Sequence, residues 1–187
     1  MTEALDLTPY CSTDPLRPYL HAPFTQGGHT FATNGYILVR VTLRPDVLPP
    51  PENKPRADKL FARDWREPTM PLPAFTLPEE RLRECENCKG EKHNFHACEC
   101  CECTCEACDD EGRVSSLNTV SVGLCGAFFA AKYARMLQPL PGIRVAPSKD
   151  AMSPMPFAFD GGEGLLMPLR TTLANHIDVP AITPATP

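Results

Sequence analysis

The sequence predicts an α+β protein interrupted by a small metal-binding insertion, and three observations carry that expectation. Residues 29–43, HTFATNGYILVRVTL, alternate apolar and polar side chains and are rich in β-branched and aromatic residues, the pattern of half-buried strands. Residues 127–138, AFFAAKYARMLQ, are alanine-rich and stop at Pro139 and Pro141-Gly142, which reads as the principal helix. Between them, eight of the ten cysteines crowd into residues 85–108, a density that no apolar core explains.

Composition narrows the field. A chain of 187 residues has room for one moderate domain, or for one domain plus a small module. Its 22 prolines exceed twice average usage and imply long extended connections. The formal charge of −5 gives no global attraction to nucleic acid or to an anionic membrane, so any DNA contact must be confined to one face. The chain contains no apolar run of membrane-spanning length, and its start, MTEALDLTPY, lacks the basic and apolar regions of a signal peptide. These features lead us to expect a soluble, cytoplasmic protein without membrane partners.

From the N-terminus, LDLT reads as a short strand. Ser12, Thr13 or Asp14 then caps a brief helix with Pro15 in its first turn, carrying Arg17, Tyr19 and Leu20. Gly27-Gly28 marks a turn, and Asn34-Gly35 a tight turn between two strands. Nine prolines between 45 and 78 disfavour a stable helix or a central strand there. LPEERLRE reads as a short helix leading into the cysteines, and residues 113–122 as strand leading out. In the 127–138 helix, Phe129, Tyr133, Met136 and Leu137 share one face and read as core, while Lys132 and Arg135 share another. IRVAP, PFAFD and GLLMPLR read as three short strands around a Gly161-Gly162 turn, and the proline-rich tail as flexible. The expected organisation is a first half (1–44), a proline-rich linker with a short helix (45–84), a zinc module (85–113), a second half (114–170) and a tail (171–187).

The cysteines at 85, 88, 98, 100, 101, 103, 105 and 108 can be read as four C-x-x-C pairs: Cys85/Cys88, Cys98/Cys101, Cys100/Cys103 and Cys105/Cys108. Two residues between thiolates let one turn present both sulfurs to a tetrahedral ion, which suits zinc. Disulfides and an iron–sulfur cluster are the competing readings, the former disfavoured in a reducing compartment. The outer pairs form a C-x2-C-x16-C-x2-C frame with zinc-ribbon spacing. Cys98, Cys100, Cys101 and Cys103, with His93 or His96, can close a second site, so one or two ions are both compatible with the spacing. The repeats CENCKGEK and CEACDDEG resemble the cysteine-rich zinc domain of J-domain co-chaperones, which implies the metal chemistry alone. Four protein ligands leave no position for an activated water, so the zinc is expected to be structural. The acidic residues among the cysteines favour a protein partner over DNA.

Two further stretches resemble the bacterial sliding clamps, the β subunit of the replicative polymerase. DPLRPYLHAPF followed by TFATNGYILVRV is similar to a clamp segment ending in an ATDGHRL strand motif. GAFFAAKYARMLQPLPGIRV through PFAFDGGEGLLMPLR is similar to the final helix, strands and VMPMR terminus of the clamp. The resemblance implies a clamp-like domain of two βαβββ units with the zinc module inserted between them. It also implies a hydrophobic pocket for short clamp-binding peptides, which would comprise Leu20, Thr33, Gly35, Tyr36, Leu38, Leu166, Met167, Pro168, Leu169 and Arg170. Asn34, Tyr36 and Ile37 depart from the aspartate, histidine and arginine of the family motif. Because clamp helices line a DNA-filled hole, the resemblance makes Lys132 and Arg135 DNA-facing, with Arg17, Arg81 and Arg83 as further candidates. Clamp rings contain six domains, so this chain would act as a homo-oligomer or without encircling duplex DNA.

The function expected is therefore non-enzymatic. One form is a clamp-like protein of DNA replication, either a reduced processivity factor or a mimic that occupies clamp partners, of the kind a virus or mobile element carries. The alternative is a zinc-dependent adaptor or inhibitor of a host factor that uses the fold as scaffold. There is no phosphate loop, catalytic triad pattern or recognisable carboxylate pair, and Cys11 and Cys125 read as buried small hydrophobes.

Overall fold

A computed structural model describes residues 4–14, 16–49, 56–91, 108, 112–170 and 175–179. Its largest element is a seven-stranded antiparallel sheet. Strands β1 (Phe24–Gln26), β2 (His29–Thr33) and β3 (Ile37–Thr42) form a meander at one end. Four strands from later in the chain continue it: β4 (Met70–Pro71), β9 (Arg144–Val145), β10 (Met155–Phe159) and β11 (Gly162–Leu166), in the order β1-β2-β3-β11-β10-β9-β4. The central seam is β3 against β11, with Leu38 opposite Leu165 and Ile37 opposite Leu166. A smaller sheet holds β7 (Val120–Leu124) and β8 (Ala127–Ala130) as a hairpin, with β12 (Asn175–Asp178) parallel to β7. Two further strands, β5 (Leu82–Glu84) and β6 (Arg113–Ser115), make a separate two-stranded stalk. The α-helices are short, α1 (Ala57–Phe61) and α2 (Ala131–Ala134), so the molecule is mixed but strand-rich.

Because side chains alternate across a strand, the central seam feeds two cores. Ile37, Val39, Val41 and Leu166 point to one face, where they meet Phe157 of β10, Val122 and Phe129 of the smaller sheet, and Ala134 and Leu137 after it. Leu38 and Leu165 point to the other face and pack with Leu20, Phe24, Phe31 and Ala57, under the half-buried Phe61 and Trp65. The β2–β3 turn is built by its own side chains. Asn34 Oδ1 accepts from the amides of Tyr36 and Ile37, each at 3.0 Å, and Thr33 Oγ1 donates to Ile37 O at 2.7 Å. Gly35 supplies the positive φ of 92° that the turn requires.

Several expectations are corrected. LDLT is not a strand: Thr8–Tyr10 is a single 3-10 turn, with Asp6 Oδ1 accepting from the amide of Thr8. The brief helix after Ser12 is an Asx-type turn at Asp14 followed by the 3-10 turn Pro18–Leu20, because proline interrupts the amide donors. The first half therefore lacks, among its described residues, the helix of a βαβββ unit. LPEERLRE contributes strand β5, stabilised only by pairing across the stalk. The 127–138 helix is half strand: Ala127–Ala130 pairs with Ser121–Leu124 through a two-residue turn, Cys125-Gly126, whose φ values of 53° and 88° are those of a type I′ hairpin. The proline-rich linker yields α1 from its proline-free stretch and an edge strand, β4, with no central strand among the described residues. The tail, expected to be flexible, contributes β12, with Ile177 packed against the main core.

Tyr10 illustrates the tightness of the main core. It is 3% exposed, its hydroxyl donates to Met136 O at 3.1 Å, and burial pushes its pKa up to about 12. A phenol with a folded pKa above its unfolded value near 10 contributes stability that is intact below pH 10 and lost as pH rises toward 12. Urea melts taken either side of that window should show a loss on the order of 1 kcal/mol, and Tyr10→Phe should remove that increment of alkaline sensitivity.

Candidate metal centre and adjoining cleft

The stalk ends in a knuckle. Lys89 N donates to Cys85 O at 2.7 Å and Glu91 N to Cys88 O at 2.9 Å, winding the C-x-x-C segment into a turn completed by Lys89 and Gly90, both at positive φ. Cys85 N donates across the stalk to Gly112 O at 3.0 Å. A Cβ on Gly112 would stand 2.6 Å from Gly90 O, so only glycine permits the two backbones to lie this close.

This geometry brings Cys85, Cys88 and Cys108 together, all buried, with their three sulfurs within 4.8 Å of one another. The Sγ atoms of Cys88 and Cys108 are 3.6 Å apart. Thiolates bound tetrahedrally at about 2.3 Å sit about 3.8 Å from each other, so the spacing accommodates a metal ion. Val114 covers the group from β6. The three cysteines can hold a metal ion, and they belong to the outer frame read from the sequence. Cys105, the fourth member of that frame, lies outside the described residues, as do Cys98, Cys100, Cys101, Cys103, His93 and His96.

Beside the knuckle lies a cleft of about 400 Å³, in which Cys108, Leu82 and Arg113 of the knuckle and stalk face the N-terminal turn, the β2–β3 turn and the segment that starts at α2. Tyr36 and Tyr133 stack there with ring centres 4.7 Å apart and planes 13° from parallel, and Lys132 Nζ lies 5.1 Å from the Tyr133 ring centre. Arg17 pairs with Asp14 at 3.2 Å. Arg135 pairs with Glu80, whose carboxylate also accepts from Ser115 Oγ at 2.7 Å; these hydrogen bonds, Ser115 first, hold its pKa below the usual range.

The residues named by the clamp resemblance distribute unevenly. The two motifs do meet: Met167 N donates to Tyr36 O at 2.8 Å, and Tyr36 and Met167 are both about half exposed. The apolar members are not gathered on one surface, however. Leu20 and Leu38 are buried in the smaller core and Leu166 in the main core on the opposite side of the sheet, because neighbouring strand residues face opposite ways. Thr33 and Gly35 shape the turn, Leu169 N donates to Phe128 O at 2.7 Å, Pro168 is half-buried, and Arg170 is exposed. Lys132 and Arg135, expected to face DNA, line the cleft. The sequence reading missed Glu80 and Arg113 as cleft residues; Tyr133, read as core, does pack against the main core and lines the cleft as well.

Fold and site together define a strand-rich α+β protein carrying a buried three-cysteine metal-type knuckle beside a polar cleft. No family model, curated protein or solved structure matches this chain. No helix among the described residues is long and apolar enough to cross a membrane.

Proposed function

We propose that this chain is a non-enzymatic, zinc-dependent protein-interaction adaptor, its clamp-resembling parts acting as scaffold. The observation that supports this reading is the convergence of Cys85, Cys88 and Cys108 into a buried group, one member of which, Cys108, also lines a cleft. A zinc ion held by these thiolates and a fourth protein ligand has no position left for a reacting water, so its chemistry is to fix the stalk. The stalk in turn sets the cleft's width, since Leu82, Arg113 and Ser115 line it.

The second reading, a single-domain clamp-like protein of DNA replication, draws support from the Tyr36–Met167 contact, which sets the two clamp-like motifs side by side in one chain. One experiment separates the two. Purified wild-type protein, Cys85→Ser protein and chelator-treated protein are compared for capture of partners from the producing cell, for binding of a clamp-binding peptide and for binding of duplex DNA. The adaptor reading expects partners to be lost in both zinc-deficient samples, with no affinity for peptide or duplex. Partner capture that survives without metal sinks it, and binding of the peptide or of duplex DNA favours the clamp reading.

A further inference from the structure

The two larger sheets treat their edges unequally. β1 is covered by the segment after β3, through Thr25 N to Leu48 O, and β8 by the segment after β11, through Leu169 N to Phe128 O. β4 has two residues, one of them Pro71. β12 differs: it is the outer strand of the order β12-β7-β8, and among the described residues no backbone hydrogen bond reaches it except from β7. Asn175, His176 and Asp178 are exposed, and neither proline nor lysine interrupts the strand. Every second residue of an edge strand turns its N–H and C=O outward, so β12 presents unpaired donors and acceptors.

The strand is held firmly on its inner side. Ile177 packs against the main core, Asn175 Nδ2 donates to Thr119 Oγ1 at 3.4 Å, and the His176 ring meets Phe128 edge-on at 4.5 Å. Beside it lies a groove of about 780 Å³, with Asn175, His176 and Ile177 on one wall and Arg81, Arg83 and Val114 of the stalk on the other.

We infer that β12 is a docking edge: an extended segment of a protein partner lies in this groove and pairs with β12 as a fourth strand of the smaller sheet. The inference rests on the adaptor reading and names the form of the partner. Unpaired edge groups call for another backbone in extended conformation, and a helix, whose backbone groups are bonded to one another, has none to offer. A second copy of this chain would have to bring the sheet and stalk behind its own β12 into a space sized for a few residues, which a lone strand enters freely. Alternate side chains of the segment turn toward Val114, Val120 and Ile177 in the lining, which favours aliphatic or aromatic types at every second position. Because β12 is already formed, only the segment has to be ordered on binding.

The probe is a displayed library of linear peptides selected on the full-length, zinc-loaded protein, the best peptide being measured by fluorescence anisotropy. Methylating its backbone nitrogens one at a time leaves every side chain in place. Binding should weaken about tenfold at alternate positions and little at those between. Hydrogen exchange should show alternate amides of β12 newly protected in the complex. Asn175→Arg and Thr119→Arg, at exposed positions that line the groove, should each weaken binding about tenfold with the melting temperature unchanged. A selection without binders, uniform tolerance of methylation, or binding that leaves β12 unprotected overturns the inference. Protection of the same amides that rises with protein concentration and needs no peptide overturns it in favour of a second copy. Alternation that persists after chelation supports the edge and removes zinc from the adaptor reading. Metal-dependent partner capture without alternation sinks the edge and leaves the adaptor reading standing.

Discussion

Cys85→Ser is expected to lose its metal and the order of the stalk while the two large cores stay folded. Cys85, Cys88 and Cys108 form a cluster of their own with Val114, sharing no member with the cores on either side of the seven-stranded sheet. Structural zinc supplies such small modules with about 10–16 kcal/mol of binding energy, nearly all of it through the ligands. Losing one of these three thiolates should weaken metal binding at least about a hundredfold. Metal analysis of the purified protein reads the first effect. Hydrogen exchange reads the second: the amides of Cys85 and Lys89, bonded to Gly112 O and Cys85 O, should exchange freely, while those of β3 remain protected. Cys11→Ser, a change at a cysteine buried in the main core, provides the control and should leave the metal content as it was. A serine variant that keeps its zinc and its stalk protection would remove the knuckle from the account.

The largest stability loss should come from Phe157→Ala. Phe157 is fully buried in β10, opposite Gly164 of β11 and Val145 of β9, and its ring crosses Gly164 so closely that a Cβ there would lie 2.2 Å from Phe157 Cζ. The neighbouring Phe159 stacks at 6.3 Å. Removing the ring opens a cavity that the rigid centre of a sheet cannot collapse to fill, a cost of about 3–5 kcal/mol, or roughly 10 °C in Tm for a chain of this size. Phe157→Leu keeps most of the volume and should cost about 1 kcal/mol. Equal melting temperatures for the alanine variant and the wild type would show that the main core is not centred on this residue.

Sequence periodicity served best where alternation and burial coincide. In β2 and β3 the apolar positions feed two cores and the turn chemistry of Thr33, Asn34 and Gly35 is local, so both strands and turn were legible. It failed where context decides. AFFA is compatible with helix and strand alike, and the choice was made by two residues upstream, Cys125 and Gly126, whose positive φ values reverse the chain. Leu82–Glu84 is exposed along its length, with no buried face to print a period, and is a strand only because β6 lies opposite. β12 is four residues whose pairing with β7 depends on a partner over fifty positions away. At the site, C-x-x-C spacing announced Cys85 and Cys88, and the frame correctly added Cys108. The cleft left no such mark, because six separate stretches of the chain supply its walls and no single one carries their pattern.

The β3–β11 seam has a consequence for the order in which the molecule is made. Arg40 and Glu163, an ion pair across that seam, stand 123 positions apart in the chain. During synthesis the middle of the large sheet therefore stays open until nearly all of residues 1–166 have been produced, while the knuckle, whose three cysteines lie between, has already been made. Long-range strand pairing of this kind is slow, whereas a metal-held turn closes locally. A metal ion held by Cys85, Cys88 and Cys108 would make the knuckle the first foothold: by tying residue 85 to residue 108 it would shorten the effective loop between the halves before they have to find each other.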